Sequence, residues 1–208
     1  SVRLFGSGTG ISYDSIFFLS KDLTGGTSEF GTSISERSGN SSEAGIMLRT
    51  SLDEDSTYAA LYLKGSDLLF RVRAIEGGPS AVIGQAAARG LGRVKLSRAD
   101  SKVTGHYLNL SGEWKVIGSA DLALPSELKA GFFAASPGLP SSFASVTFTN
   151  FLANELNFSP DTLPSVLPRT FNFSATVVQY PESEGSITYY ANDLPLGTAI
   201  EAPWAVRW

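Results

Sequence analysis

Tyr58-Ala59-Ala60-Leu61-Tyr62-Leu63-Lys64-Gly65-Ser66-Asp67-Leu68-Leu69-Phe70-Arg71-Val72-Arg73 is the stretch that decides the fold. In its first half Ala59, Leu61 and Leu63 alternate with Tyr58, Ala60 and Tyr62; in its second half Leu68, Phe70 and Val72 alternate with Leu69, Arg71 and Arg73. A period of two sends successive side chains to opposite faces of a β-strand. Lys64-Gly65-Ser66-Asp67 supplies turn residues between the halves. Two strands therefore share an apolar face and send Tyr58, Tyr62, Arg71 and Arg73 outward.

The same pattern extends in both directions. Ile16 and Phe18 alternate with Phe17 and Leu19, Val94 and Leu96 with Lys95 and Ser97, Val116 with Lys115 and Ile117, and Val146 and Phe148 with Thr147 and Thr149. Turn signals such as Thr24-Gly25-Gly26, Ser38-Gly39-Asn40-Ser41, Glu76-Gly77-Gly78-Pro79, Ser111-Gly112 and Ser136-Pro137-Gly138 separate these runs. Their spacing of roughly 8–12 residues is that of an all-β sandwich or barrel, with about eleven strands before Phe151. No segment sustains a helical period: 43–49 is short, and Gly90 interrupts 86–91. Residues 154–168 contain Pro160, Pro164 and Pro168 and read as a linker between a sandwich over 1–153 and a second β-segment over 169–208.

Composition removes whole classes of chemistry. The chain of 208 residues has no cysteine and one histidine, His106. Disulfide frames, thiolate metal sites and multi-histidine metal sites are excluded, and no cofactor is expected. Any Ser–His–Asp triad would have to pass through His106. Lys and Arg total 16 against 20 Asp and Glu, a formal net charge of −4, so no nucleic-acid or polybasic membrane footprint is expected. No apolar run is long enough for a membrane helix, and membrane insertion is not expected. Asp53-Glu54-Asp55 offers oxygens for calcium but lacks the spacing of a calcium loop, so it reads as an acidic turn and no metal site is assigned. Gly6-Ser7-Gly8-Thr9-Gly10 precedes no helix and reads as a turn rather than a dinucleotide loop.

Several motifs follow one another in a familiar order: Glu43-Ala44-Gly45-Ile46-Met47-Leu48-Arg49, Phe70-Arg71-Val72-Arg73, Val94-Lys95-Leu96-Ser97-Arg98, Ser111-Gly112-Glu113-Trp114-Lys115-Val116-Ile117-Gly118-Ser119, Lys129-Ala130-Gly131-Phe132-Phe133 and Ala144-Ser145-Val146-Thr147-Phe148. The series resembles the concanavalin A-like, laminin G-like jelly-roll modules of secreted bacterial proteins, a group related to the yeast "regulation of enolase" proteins. The resemblance implies a two-sheet antiparallel jelly roll over 1–153 and a secreted or cell-surface setting. The tail, with Ser186-Ile187-Thr188-Tyr189-Tyr190-Ala191 and Ala202-Pro203-Trp204-Ala205-Val206-Arg207-Trp208, resembles a bacterial immunoglobulin-like domain. Residues 169–208 are too few for its ~100-residue sandwich. The segment is expected to be incomplete, with an open edge for a neighbouring domain or chain to complete.

Jelly-roll modules of this kind often bind glycans, which need flat aromatic faces and planar polar groups. Arg49, Tyr58, Tyr62, Arg71 and Arg73 fall on one face by parity, and His106 is added as a sixth candidate. Trp114 is expected to pack and fix its hairpin, Trp204 and Trp208 to belong to the tail core, and Phe17 to be open to an inter-domain contact. No nucleophile elbow or strand-borne carboxylate set is present, so the expected function is non-catalytic: an accessory or adhesive, carbohydrate-binding module. A structural spacer or protein-interaction module is the alternative, and a glycan-active enzyme domain is the weaker one.

Overall fold

A computed structural model describes residues 1–6, 8–13, 15–38, 42–88, 92–137, 144–153, 172–173, 176–178, 185–191, 194–200 and 206–207. Twelve strands cover the first 153 residues: β1 (Val2–Gly6), β2 (Phe17–Thr24), β3 (Thr27–Arg37), β4 (Glu43–Arg49), β5 (Tyr58–Lys64), β6 (Asp67–Arg73), β7 (Ala81–Ala87), β8 (Arg93–Ala99), β9 (Lys102–Leu108), β10 (Trp114–Asp121), β11 (Glu127–Ala135) and β12 (Ala144–Ala153). One short 3₁₀ turn, Ile11–Tyr13, is the helical element among the described residues. The all-β expectation holds. Segment 43–49, which came nearest to a helical pattern, is the strand β4, buried along its whole length.

The strands form two antiparallel sheets. One runs β10-β9-β8-β3-β12-β1 and the other β2-β11-β4-β5-β6-β7. The core between them takes the inward set from each strand, including Leu4, Phe17, Leu19, Phe30, Ile46, Leu61, Phe70, Val94, Leu96, Val146 and Phe148. Phe17 is fully buried there, not open to a neighbouring domain, while Ile16 and Phe18 point to the other face of β2. Along one flank the edge strands β7 and β10 come together. A Cβ on Gly84 would lie 2.1 Å from the Ile117 carbonyl oxygen, and one on Gly118 would lie 2.8 Å from the Phe70 ring. Side-chain-free backbone is what lets the two edges close over Phe70.

Five short strands follow: β13 (Asn172–Phe173), β14 (Thr176–Val178), β15 (Gly185–Ala191), β16 (Leu194–Ala199) and β17 (Val206–Arg207). β15 pairs along β1, from Val2↔Tyr189 to Gly6↔Gly185, and β16 continues that sheet beyond β15. β14 pairs with β2 in the other sheet, and β13 pairs with β17. An immunoglobulin-like domain is not shown. The outer edges of β1 and β2 carry unpaired backbone groups, and the tail strands satisfy them. The proposed linker at 154–168, Trp204 and Trp208 lie outside the described residues.

Candidate functional site

Parity places five of the sequence candidates as expected, on the face of β4–β5–β6 turned away from the main core. Arg49 pairs with Tyr58 and Tyr58 with Arg73, while Tyr62 and Arg71 lie further along the same face. This face is not open to a ligand. Arg49, Tyr58 and Tyr62 are 0–1% exposed and Arg73 is 8% exposed. A second apolar cluster covers it, built from Ile11, Ile16, Phe18, Met47, Tyr58, Tyr62 and Phe133.

Two loops make the cover. The first is the turn at Ile11–Tyr13. The Ile11 amide donates to Glu43 Oε2 (2.8 Å), and the Tyr58 hydroxyl donates to the Ile11 carbonyl (3.3 Å). Glu43 is itself buried and receives Lys64 Nζ on its other oxygen at 2.7 Å. The second is the acidic turn around residues 51–56. Arg49 Nε donates to the Ser51 carbonyl (2.7 Å) and Ser56 Oγ (2.9 Å), and its Nη2 donates to the Asp53 carbonyl. Arg73 donates to the Glu54 carbonyl, with its guanidinium 5.1 Å from the Tyr58 ring centre. Both guanidiniums thus fasten the turn onto the sheet through carbonyls. Arg71 is half-buried, donating to the Tyr62 hydroxyl (3.2 Å) and Ser80 Oγ (2.9 Å). Burial pushes the Tyr62 phenol up, and the Arg71 bond opposes it.

His106 does not join this group. It lies in β9 of the other sheet, beside Lys95 in register. Its Nε2 is 2.9 Å from Ser97 Oγ. Lys95 in turn reaches Glu29 Oε1 (2.9 Å) and stands 5.0 Å from the half-buried Trp114 ring. Burial, and then the charge of Lys95, hold the His106 imidazole below its ordinary pKa. The unfolded chain then binds the proton more readily than the folded one. Stability from this residue is complete above the ordinary histidine range and is lost as pH falls through the lowered value. A smaller drop in melting temperature between pH 7.5 and pH 5 is therefore expected for His106→Gln than for the natural chain; equal drops would refute it.

The described residues do contain an open site that the sequence reading missed. At one end of the sandwich a cleft of about 300 Å³ runs between the sheets, near the lower limit for small-ligand sites. Leu63 and Leu68 come from either side of the β5–β6 turn, and Val94 and Tyr107 face each other across β8 and β9. Ala87 of β7, Arg93 and Leu110 are also part of its lining. The β9–β10 turn builds the rim. Asn109 Oδ1 accepts from the amides of Ser111 (3.0 Å) and Glu113 (2.9 Å), which leaves Leu110 84% exposed. Hydrogen bonds from Lys115 and then Asn109 keep the Glu113 carboxyl below its usual range. The one sequence signal for the cleft was the polar turn Asn109–Gly112, with an unexplained leucine inside it.

The class that this architecture defines is the two-sheet antiparallel β-sandwich of jelly-roll type, and comparison with solved structures bears that out. A protein of unknown function from Saccharomyces cerevisiae matches with TM-score 0.51 and 15% identity over 65% of this chain and 72% of its own. A GH43 protein from Bacillus licheniformis matches with TM-score 0.50 and 16% identity, and a xylan β-1,4-xylosidase from Bacillus halodurans with TM-score 0.50 and 12% identity. The chain spans only 27% and 29% of those two proteins, against 62% and 65% of itself. No family model matches the chain, and no curated protein matches it. These identities establish the fold alone. The expectation of a non-catalytic chain is corrected to this extent: glycoside hydrolases are among the structures that share its sandwich, so an all-β fold of this type does not set the chain apart from enzymes.

Proposed function

We propose that this chain is a carbohydrate-interacting domain of a secreted or cell-surface protein, and that the glycan enters the end cleft. The carrying observation is the pairing of Tyr107 and apolar walls with a polar rim from which Leu110 projects. A pyranose presents an apolar C–H face and a ring of hydroxyls, and such a cleft meets both. The xylosidase and the GH43 protein, by their names, fit the same chemical setting.

An array of plant and bacterial glycans probed with the 208-residue chain tests the reading, with release of reducing ends measured on the same sugars to separate binding from turnover. Leu110→Ser is expected to weaken binding five- to thirtyfold, from the loss of about 1–2 kcal/mol of apolar burial. Its melting temperature should not move, since Leu110 is already in water. A uniformly blank array would overturn the proposal and favour a spacer.

A further inference from the structure

Arg93 opens β8 opposite Ser33 and lines the cleft. Its Nε is buried and has no hydrogen-bond partner among the described residues. The other described arginine side chains all have one. Arg3 donates to Thr147 and Glu36, Arg37 to the Ser42 carbonyl, Arg49 to Ser51, Arg71 to Tyr62, Arg73 to Glu54, and Arg98 to the Gly25 and Leu124 carbonyls. A guanidinium cannot shed its charge, so burying its N–H without an acceptor is unfavourable. Arg73 Nε is buried in the same way, but that guanidinium is held through Nη1 by the Glu54 and Ser56 carbonyls, whereas among the described residues no oxygen accepts from Arg93. Arg93 is also the one charged residue of the lining, with no carboxylate there to compete for it.

We infer that the cleft takes an acidic glycan whose carboxylate or sulfate group pairs with the Arg93 guanidinium, the one charge in its lining. This rests on the carbohydrate reading and narrows it to one substrate class. Charged acceptors make the stronger hydrogen bonds to arginine, often two at once. With a net charge of −4 the whole chain does not attract polyanions from a distance. Selectivity would therefore be local to Arg93.

Calorimetric titration of the full chain with a neutral xylo-oligosaccharide, an oligogalacturonate and a sulfated galactan oligosaccharide tests this. At least tenfold tighter binding of an acidic sugar is expected. Arg93→Gln should abolish that preference while leaving neutral binding in place, and Arg93→Lys should retain part of it. Acidifying toward pH 3 separates the two anions: it neutralises the uronate and weakens its binding, whereas the sulfate ester keeps its charge. Should Arg93→Gln fail to fold, the salt dependence of the natural chain still reads the contact, because a preference for acidic sugars that ignores salt would overturn it. Equal affinity for acidic and neutral sugars, or equal loss of both in Arg93→Gln, overturns the acidic inference and leaves the carbohydrate reading standing. Absence of binding to any of the sugars overturns both.

Discussion

Tyr58→Ala is expected to lower the unfolding free energy by about 3–5 kcal/mol, the usual cost of removing a large buried aromatic. In a domain of this size that is a fall in melting temperature of roughly 6–20 °C. The side chain is 0% exposed, lies between Arg49 and Arg73 in register, and packs its ring against the Arg73 guanidinium. Its hydroxyl also holds the Ile11 carbonyl of the covering turn. Tyr58→Phe keeps the packing and loses one hydrogen bond, so about 0.5–1.5 kcal/mol is expected. Thermal unfolding followed by circular dichroism separates the two variants. An exposed binding tyrosine would behave in the opposite way, with Tyr58→Ala costing within about 0.5 kcal/mol of nothing.

Arg49→Ala should also be severe, at about 3–5 kcal/mol. The substitution deletes the donor that satisfies the Ser51 and Asp53 carbonyls and the Ser56 hydroxyl. It also removes a guanidinium 5.8 Å from the Phe18 ring, inside the second apolar cluster. The acidic turn at 51–56 would lose its main tether to β4, and limited proteolysis is expected to cut there first. Arg49→Lys should not restore the turn, because one ammonium group on a flexible stem cannot reproduce the fixed fork of donors. Unchanged stability and an uncut turn in Arg49→Ala would show that the guanidinium does not hold the loop.

Both variants test the point on which sequence and structure part. The alternation in 58–73 correctly put Tyr58, Tyr62, Arg71 and Arg73 on the face opposite Leu61 and Phe70. Period two says which residues share a face; it does not say whether water or protein lies beyond it. A signal for the cover was present in the chain. Ile16-Phe17-Phe18-Leu19 and Ala44-Gly45-Ile46-Met47-Leu48 are apolar at every position, as strands buried on both faces are. Which loop covers them was not legible, since Ile11 meets Tyr58 across 47 residues of chain. Arg71 and Arg73 illustrate the same limit, because alike side chains on one strand ended half-buried and buried respectively.

The end cleft has the same origin. Its walls come from β5, β6, β7, β8 and β9, five strands in two sheets, and no local pattern announces that they leave a space between them. By itself the sequence determined the all-β class, the parity of its central strands and the exclusion of cysteine- and multi-histidine chemistry, because these follow from side-chain period and composition; the choice of a sandwich over a barrel came from the order of its motifs. The tertiary structure alone decided that the arginine–tyrosine face is sealed, that His106 lies in the opposite sheet, that tail strands extend the edges at β1 and β2, and that Arg93 stands at an open cleft with its Nε unpartnered among the described residues. Each of these depends on contacts between segments distant in the chain, and such contacts are set by packing rather than by local periodicity.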